Sequence, residues 1–415
     1  MADKRQLMSL DEVLQRLAAG AAAHPIADTE TVATFDALGR VLALPVTSGL
    51  DVPPADNTSM DGYALHHADV PAAGTVLPVA QRLPAGVVGR PLARGTVARI
   101  FTGAQVPPGA TAVVMQEQCE AIAGEGLGAV RIDAVPADGQ WVRRRGEDVQ
   151  QGAVVLAAGT RLTPQALGLA ASVGAATLRV RRRPRVALFS TGDELVMPGE
   201  PLRPGAIYNS NRFMLRGLLQ AAGCEVTDLG IVPDRRDATV EAVRMAAAGH
   251  DLILTSGGVS TGEEDHIRPA VESQGWIENW QVAIKPGKPL AFGGVRRADG
   301  SSALFVGLPG NPVSSFVNFL LAVAPVLRVM QGADGALPRG VAVRAGFDWP
   351  RADRRREFLR ARFNADGALE LFANQSSGVL TSAVWADGLV DNPPGQVVAR
   401  GDSVRFLSFA ELLGR

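Results

Sequence analysis

At 415 residues and 43.4 kDa the chain is longer than one hydrophobic core usually organises, so about three or four units of ordinary domain size are expected. A 47% hydrophobic share with 20% charged residues is that of a soluble globular protein, and a formal net charge of -1 excludes bulk nucleic-acid binding. Only two cysteines occur, Cys119 and Cys224, neither with metal-ligand spacing around it, so a disulfide framework or zinc site is not expected and cytoplasm is the default location.

The start, Met1 to Arg5, leads into no signal-peptide core. Ser9 with Glu12 reads as a capping box opening a helix to about residue 24, with Val13, Leu14, Leu17 and Ala18 at helical spacing. Residues 38–46 read as the start of an extended segment. From about 51 to 148, short β-branched runs at 76–79, 97–101 and 111–115 stand between Gly and Pro clusters, which marks a β-rich module. Thr163 followed by Pro164 caps a helix through Ser172, and the Arg-rich stretch 179–185 marks a boundary.

Between Arg185 and about Gly332, apolar strands at 186–189, 226–232, 251–254 and 303–306 alternate with helices that start near Asn209, cover 236–248, and leave Pro312. That alternation predicts βαβ units on a parallel sheet. The most apolar stretch, 316–327, is shorter than the ~20 residues of a membrane span and carries Asn318 and Pro325, so it reads as a buried core helix. Beyond residue 332, short strands such as 341–343 and 397–398 predict a small β-barrel-like tail.

Chemistry concentrates in three loops that each follow an apolar run: Ser190-Thr191-Gly192-Asp193-Glu194-Leu195, the stretch from Ser256 to His266, and Gly307 to Ser315. An open parallel sheet gathers such loops into one crevice. Gly257, Gly258, Ser260 and Gly262 let backbone amides approach an anion, although no Lys-Ser or Lys-Thr follows as in a Walker loop. After Pro309-Gly310, Asn311 suits an N-cap, Pro312 the first helical position, and Ser314 and Ser315 add hydroxyls; this describes a phosphate site or an ordinary capped helix. Asp193, Glu194, Glu263, Glu264 and Asp265 stand beside these donors, and carboxylates tolerate phosphate only through a cation, for which magnesium is suited. Solvated loop-tip charge is the other reading of Glu263 and Glu264. Lys285 and Lys288, in a Pro-bracketed segment, suit an oxyanion or a plain surface turn. No Gly-x-Ser-x-Gly occurs, which argues against a serine hydrolase.

These loops share the chain with further motifs, in order: Asn57-Thr58-Ser59-Met60-Asp61-Gly62-Tyr63-Ala64, Phe101-Thr102-Gly103-Ala104, Met115-Gln116-Glu117, Arg145-Gly146-Glu147-Asp148 and Ile284-Lys285-Pro286-Gly287-Lys288-Pro289. Taken together, and over nearly the whole length, the sequence resembles the molybdopterin molybdenumtransferases, the MoeA family related to the E domain of gephyrin. The resemblance implies a multidomain α/β plus β fold. Its units would be a helical and extended dimerisation arm (1–50 with 149–183), a β-rich unit (51–148), a central parallel-sheet α/β unit (184–331) and a C-terminal barrel-like unit (332–415). It also implies a magnesium-dependent reaction in which adenylylated molybdopterin receives molybdate and AMP is released. A homodimer is implied, as is transient contact with the adenylyltransferase of the pathway; neither nucleic acid nor membrane is an expected partner.

Carried across position by position, the resemblance assigns metal and pyrophosphate handling to Glu194 and Asp265, supported by Asp193 and Asp234, and molybdate or terminal phosphate to Lys285 and Lys288. Arg360, Ser376 and Ser377 would add phosphate and molybdate contacts, with Ser190, Thr191, Gly192 and the Pro309 to Ser314 loop around the substrate. Asp61, Thr102, Glu117 and Asp148 would face the pocket of a partner subunit. His266 and Arg268 stand where the family commonly has an aromatic residue and a lysine, and Thr261 and Thr111 replace a common valine and aspartate. Rival readings are the adenylyltransferase of the preceding step, and a scaffold that keeps the fold without turnover.

Overall fold

The computed structural model describes residues 7–258 and 266–414. Its central element is a six-stranded sheet, β1 (Arg185–Thr191), β2 (Glu225–Val232), β3 (Leu252–Ser256), β4 (Gly275–Gln281), β5 (Pro289–Arg296) and β6 (Ser302–Leu308), in the order β2-β1-β3-β6-β5-β4. The first four in that order pair in parallel, as the alternating pattern predicts. β5 then runs antiparallel to β6 and β4 antiparallel to β5, so the expected parallel sheet is in fact mixed at one edge.

Strands buried on both faces must be apolar at consecutive positions, and β1 and β3 meet that demand. Val186, Leu188, Leu252 and Leu254 enter one core, while Ala187, Phe189 and Ile253 enter the core on the opposite face. Helices α1 (Leu10–Ala22), α3 (Ser210–Ala221) and α6 (Pro312–Met330) cover the first face, and α4 (Arg236–Ala247) and α5 (Ile267–Glu272) the second; α2 (Pro164–Ser172) lies elsewhere.

Ser9 caps α1 by accepting the Glu12 N–H at 3.2 Å. That helix departs from its expected place, because Leu10, Val13, Leu17 and Ala21 are buried in the core of the central sheet rather than in an arm core. Burying the three larger side chains contributes about 1.5–3 kcal/mol each, enough to hold the helix there. The arm itself is built by Thr29–Ala33 against Thr177–Arg181, Val46–Thr47 against Val154–Leu156, and α2. Much of the 38–46 stretch forms turns and isolated bridges, not a strand.

Helix α6 is long and apolar enough to cross a membrane, yet 83% of its most apolar window is buried inside the protein. Pro325 does not end it. A wider turn, Phe319–Val323, comes just before the proline and lets the helix pass a residue that has no N–H to give.

Residues 62–132 form a six-stranded sheet in the order Ala112–Met115, Gly62–Leu65, Val97–Ile100, Thr75–Leu83, Ala129–Ile132, Cys119–Ile122. At the C-terminus, Arg356–Phe363, Gly388–Asn392, Ser403–Ser408 and Val341–Arg344 pair in that order, Leu369–Leu371 joins the first, and an Ala345 to Leu369 bridge brings the far edge back towards it. Ile284–Lys285, between β4 and β5, leaves its own sheet and pairs in parallel with Arg356–Phe363.

Two carboxylates pin the units together. Burial alone would raise the Asp251 carboxyl, but the Arg182 guanidinium, at 2.7 and 2.8 Å, and the Arg185 N–H outweigh it and hold it below the usual range. Asp353 is depressed chiefly by the Arg355 guanidinium. Folded-state values below the unfolded ~3.9 mean that this stability is present above that pH and is lost as pH falls through it. The urea midpoint is therefore expected to drop below about pH 4, and Asp251→Asn, already deprived of that charge, should show a shallower acid slope. An unchanged slope in the variant would remove Asp251 from the acid response.

Candidate active site

Strand β1 ends at Thr191, β3 runs into Gly257-Gly258, and β6 runs into Pro309-Gly310-Asn311. Their ends meet around a cavity of about 690 Å³, bounded also by the N-termini of α3 and α6. The chain leaving β1 goes to β2 on one side and the chain leaving β3 goes to β4 on the other, so the cavity sits at the switch point where open α/β sheets bind ligands. Gly257 and Gly258 adopt φ of 89° and 63°, and a Cβ on Gly257 would lie 3.0 Å from the Thr191 carbonyl oxygen. Only glycine accepts both the left-handed backbone and that approach.

Glu194 lines the cavity with an exposed carboxylate that has no hydrogen bond or ion pair among the described residues. Asn311 occupies the N-cap position of α6 but makes no capping bond with its side chain, which goes against the ordinary-cap reading of the two left open by the sequence. Its amide, at the cavity wall, is available to a ligand. Not every helix-start donor is free: the Val313 N–H goes to the Ser377 carbonyl at 3.0 Å, and the Ser315 hydroxyl donates to the Pro309 carbonyl.

That Ser377 bond brings a loop of the C-terminal unit to the cavity, where Gly378 forms part of the wall. Behind the loop lies Arg360, 1% exposed, donating to the Ser382 hydroxyl and to the Phe358 and Ser376 carbonyls at 3.1, 3.1 and 3.3 Å. No carboxylate pairs with it among the described residues, and burial lowers its guanidinium to about 10. A buried cation balanced by neutral dipoles alone favours an anion nearby.

Lys285 is already engaged: its ammonium donates to Glu357, itself 1% exposed, at 3.0 Å and lies 3.4 Å from Asp353. Lys288 is exposed and carries no ion pair among the described residues. Asn318 ties the intervening turn to α6, donating to the Gly287 and Ser314 carbonyls at 3.0 Å each, where a Cβ on Gly287 would meet its Nδ2 at 2.3 Å.

Comparison with known proteins covers most of the chain. Residues 8–174 match "MoeA N-terminal region (domain I and II)", 187–329 match "Probable molybdopterin binding domain", and 342–409 match "MoeA C-terminal region (domain IV)". The "Molybdopterin molybdenumtransferase" of Haemophilus influenzae is 37% identical over 393 residues, covering 93% of this chain and 95% of that one. The "Molybdopterin molybdenumtransferase 2" of Mycobacterium tuberculosis is 38% identical over 390 residues, 90% and 94% of the two chains. A solved molybdopterin biosynthesis MoeA protein from Pyrococcus horikoshii OT3 superposes with a TM-score of 0.79 at 28% identity, covering 97% of this chain and 100% of that one.

The chain belongs to the molybdopterin molybdenumtransferase family. Within this family member the cavity gathers Thr191, Glu194, Gly257, Gly258, Pro309, Gly310, Asn311, Pro312 and Ser314 from the expected residues. Ser190 is fully buried in β1, Gly192 and Asp193 stay off the wall, and Asp193 accepts the Asp234 N–H at 3.4 Å. Ser260, Gly262 and Asp265, with Glu263 and Glu264, lie outside the described residues.

The upstream residues do not reach this cavity within one chain. Asp61 Oδ1 accepts the Thr102 N–H at 2.7 Å and the Thr102 hydroxyl at 2.8 Å, and these bonds hold its carboxyl below the usual range. Asp148 lines a separate cavity of about 440 Å³ with Asn57 and Arg143, and Glu117 accepts from the Gln116 side chain at 3.3 Å. Sequence reasoning passed over Ile207, Tyr208, Asn209, Ser210 and Asn211, which form one wall of the main cavity. In the sequence Asn209 marks only a helix start, though a second amide two positions later is more than a cap requires.

Proposed function

We propose that this protein is the molybdenum-inserting transferase of molybdenum cofactor biosynthesis, taking adenylylated molybdopterin and molybdate and releasing AMP. The observation that carries this reading is the joining, in one cavity, of a Glu194 carboxylate unpaired among the described residues, the Gly257-Gly258 turn and the uncapped Asn311. Acid and anion-binding backbone side by side suit a polyphosphate held through a divalent cation. Magnesium would neutralise charge developing on the phosphoanhydride when bound, and Glu194, with Asp265 outside the described residues, is the donor set that fits it.

The chain's own groups do the positioning. Gly257 and Gly258 present backbone to the phosphates, Asn311 and Ser314 add neutral donors, and Lys288 with Arg360 supplies positive charge on the side of the C-terminal unit where molybdate or the pterin phosphate would rest. Water in line with the adenylate leaving group would form a new P–O bond at the pterin-side phosphorus as the phosphoanhydride P–O bond breaks; AMP takes the departing electron pair and the water's proton passes to solvent. We further propose that the units divide near residues 51, 149, 184 and 332, and that Asp61, Thr102, Glu117 and Asp148 complete the cavity of a second subunit. Phe35, at 94% exposure, with Leu38 and Leu44 on the same arm, supports such a dimer.

Incubation with adenylylated molybdopterin, magnesium and molybdate is expected to release AMP in proportion to metal-loaded pterin. Chromatography of the nucleotide checks this. Equal release without molybdate, or none with all three present, would refute the proposal.

A further inference from the structure

Two buried side chains on the overlooked wall have hydrogen-bonding capacity that no described residue uses. Asn209 is 2% exposed and Asn211 9% exposed, and both line the main cavity. The Asn209 side-chain oxygen accepts the Arg212 N–H at 3.2 Å, which fixes its amide orientation and leaves Nδ2 without a partner. The Asn211 Nδ2 donates to the Gly310 carbonyl at 2.7 Å, which leaves its Oδ1 without one. One donor and one acceptor, at the cap and second positions of α3, are therefore presented in a fixed sense.

A buried amide half left unmade costs about 1–3 kcal/mol, so two on one wall are retained only where something else completes them. An anion would satisfy the Asn209 amine but would repel the Asn211 oxygen. A planar nitrogen heterocycle satisfies both, because its edge places a ring or carbonyl acceptor beside an N–H donor. The neighbouring residues have the matching shape: Ile207 and Tyr208 line the same cavity at 56% and 45% exposure, and the Tyr208 hydroxyl donates to the Glu200 carbonyl at 3.2 Å. That bond anchors the ring while its face stays open to stack on a flat ligand.

We propose that Asn209 and Asn211 read the donor and acceptor edge of the substrate's heterocycle, with Tyr208 against its face, and so select which flat ring enters the cavity. This rests on the transferase reading above and extends it, since that reading concerned only the phosphates, the molybdate and their charge. Pterin and adenine both carry such an edge, and the substrate contains both.

Asn209→Ser separates the roles, because serine caps helices as well as asparagine does and adds no charge, but it presents no amine to the cavity. Binding of metal-free molybdopterin, AMP and inorganic pyrophosphate to the intact protein can be followed by calorimetry. The expected result is about tenfold to hundredfold weaker binding of one of the two ring compounds by Asn209→Ser, with pyrophosphate unchanged. Whichever compound weakens is the one being read. Wild-type affinity of the variant for both rings would overturn the inference while leaving the transferase reading intact. Loss of pyrophosphate binding in step with the rings would also overturn it, since the side chain would then be shaping the cavity as a whole. If the unaltered protein binds none of the three, the transferase reading itself falls and this inference with it.

Discussion

Glu194→Gln is expected to lower the rate of AMP release by about 100-fold or more while leaving the protein folded. The carboxylate faces the cavity, and no cation of the protein neutralises it among the described residues, so its charge is not serving the fold. Exposed side chains of this kind change stability by only about 0.5 kcal/mol when replaced isosterically. A steady-state assay over a magnesium series separates the possibilities. The variant should need more magnesium and still reach a lower plateau, whereas wild-type turnover at every magnesium concentration would remove Glu194 from the reaction.

The second large effect is on stability. Glu357→Ala is expected to cost about 3 kcal/mol, because three groups lose their acceptor together. Glu357 accepts from Lys285 at 3.0 Å, from the Trp349 indole N–H at 2.8 Å and from the Asn392 amide at 3.4 Å. Asn392 is buried and Trp349 half-buried, while Lys285, with 42% of its side chain exposed and Asp353 nearby, is less dependent on the pair. Urea unfolding followed by Trp fluorescence should show an earlier midpoint, and an unshifted midpoint would mean that the buried carboxylate is not holding the C-terminal sheet. Lys285→Ala is correspondingly a poor probe of molybdate binding, since it takes the cation from a buried acid.

Much of the central sheet was legible because its strands are apolar on two faces, and Val186 to Phe189 or Leu252 to Leu254 leave no other reading in water. The antiparallel edge was not, since β4 alternates Trp276 and Glu278 outward and looks like any polar surface run. Caps and loops were read locally, which recovered Thr191, Glu194 and Gly257-Gly258 at the cavity. Local reading could not show that Asn311 leaves its cap unmade, nor that Lys285 meets a carboxylate 72 positions away. Both facts depend on how distant segments pack, and no spacing in the sequence encodes that. Arg360 illustrates the same limit from the other side, since its place in the chain suggests an anion contact whereas its geometry puts two carbonyls and a hydroxyl around it first.

Lys285 pairs by its backbone with Glu357, in the short ladder where the link between β4 and β5 crosses into the C-terminal sheet. Glu194 and the Gly257-Gly258 turn are anchored instead to β1 and β3. A swing of the C-terminal unit must therefore either tear that ladder or drag the lysine along, so the distance from Lys285 to the Gly257-Gly258 turn is set by how the C-terminal sheet is seated on the central one.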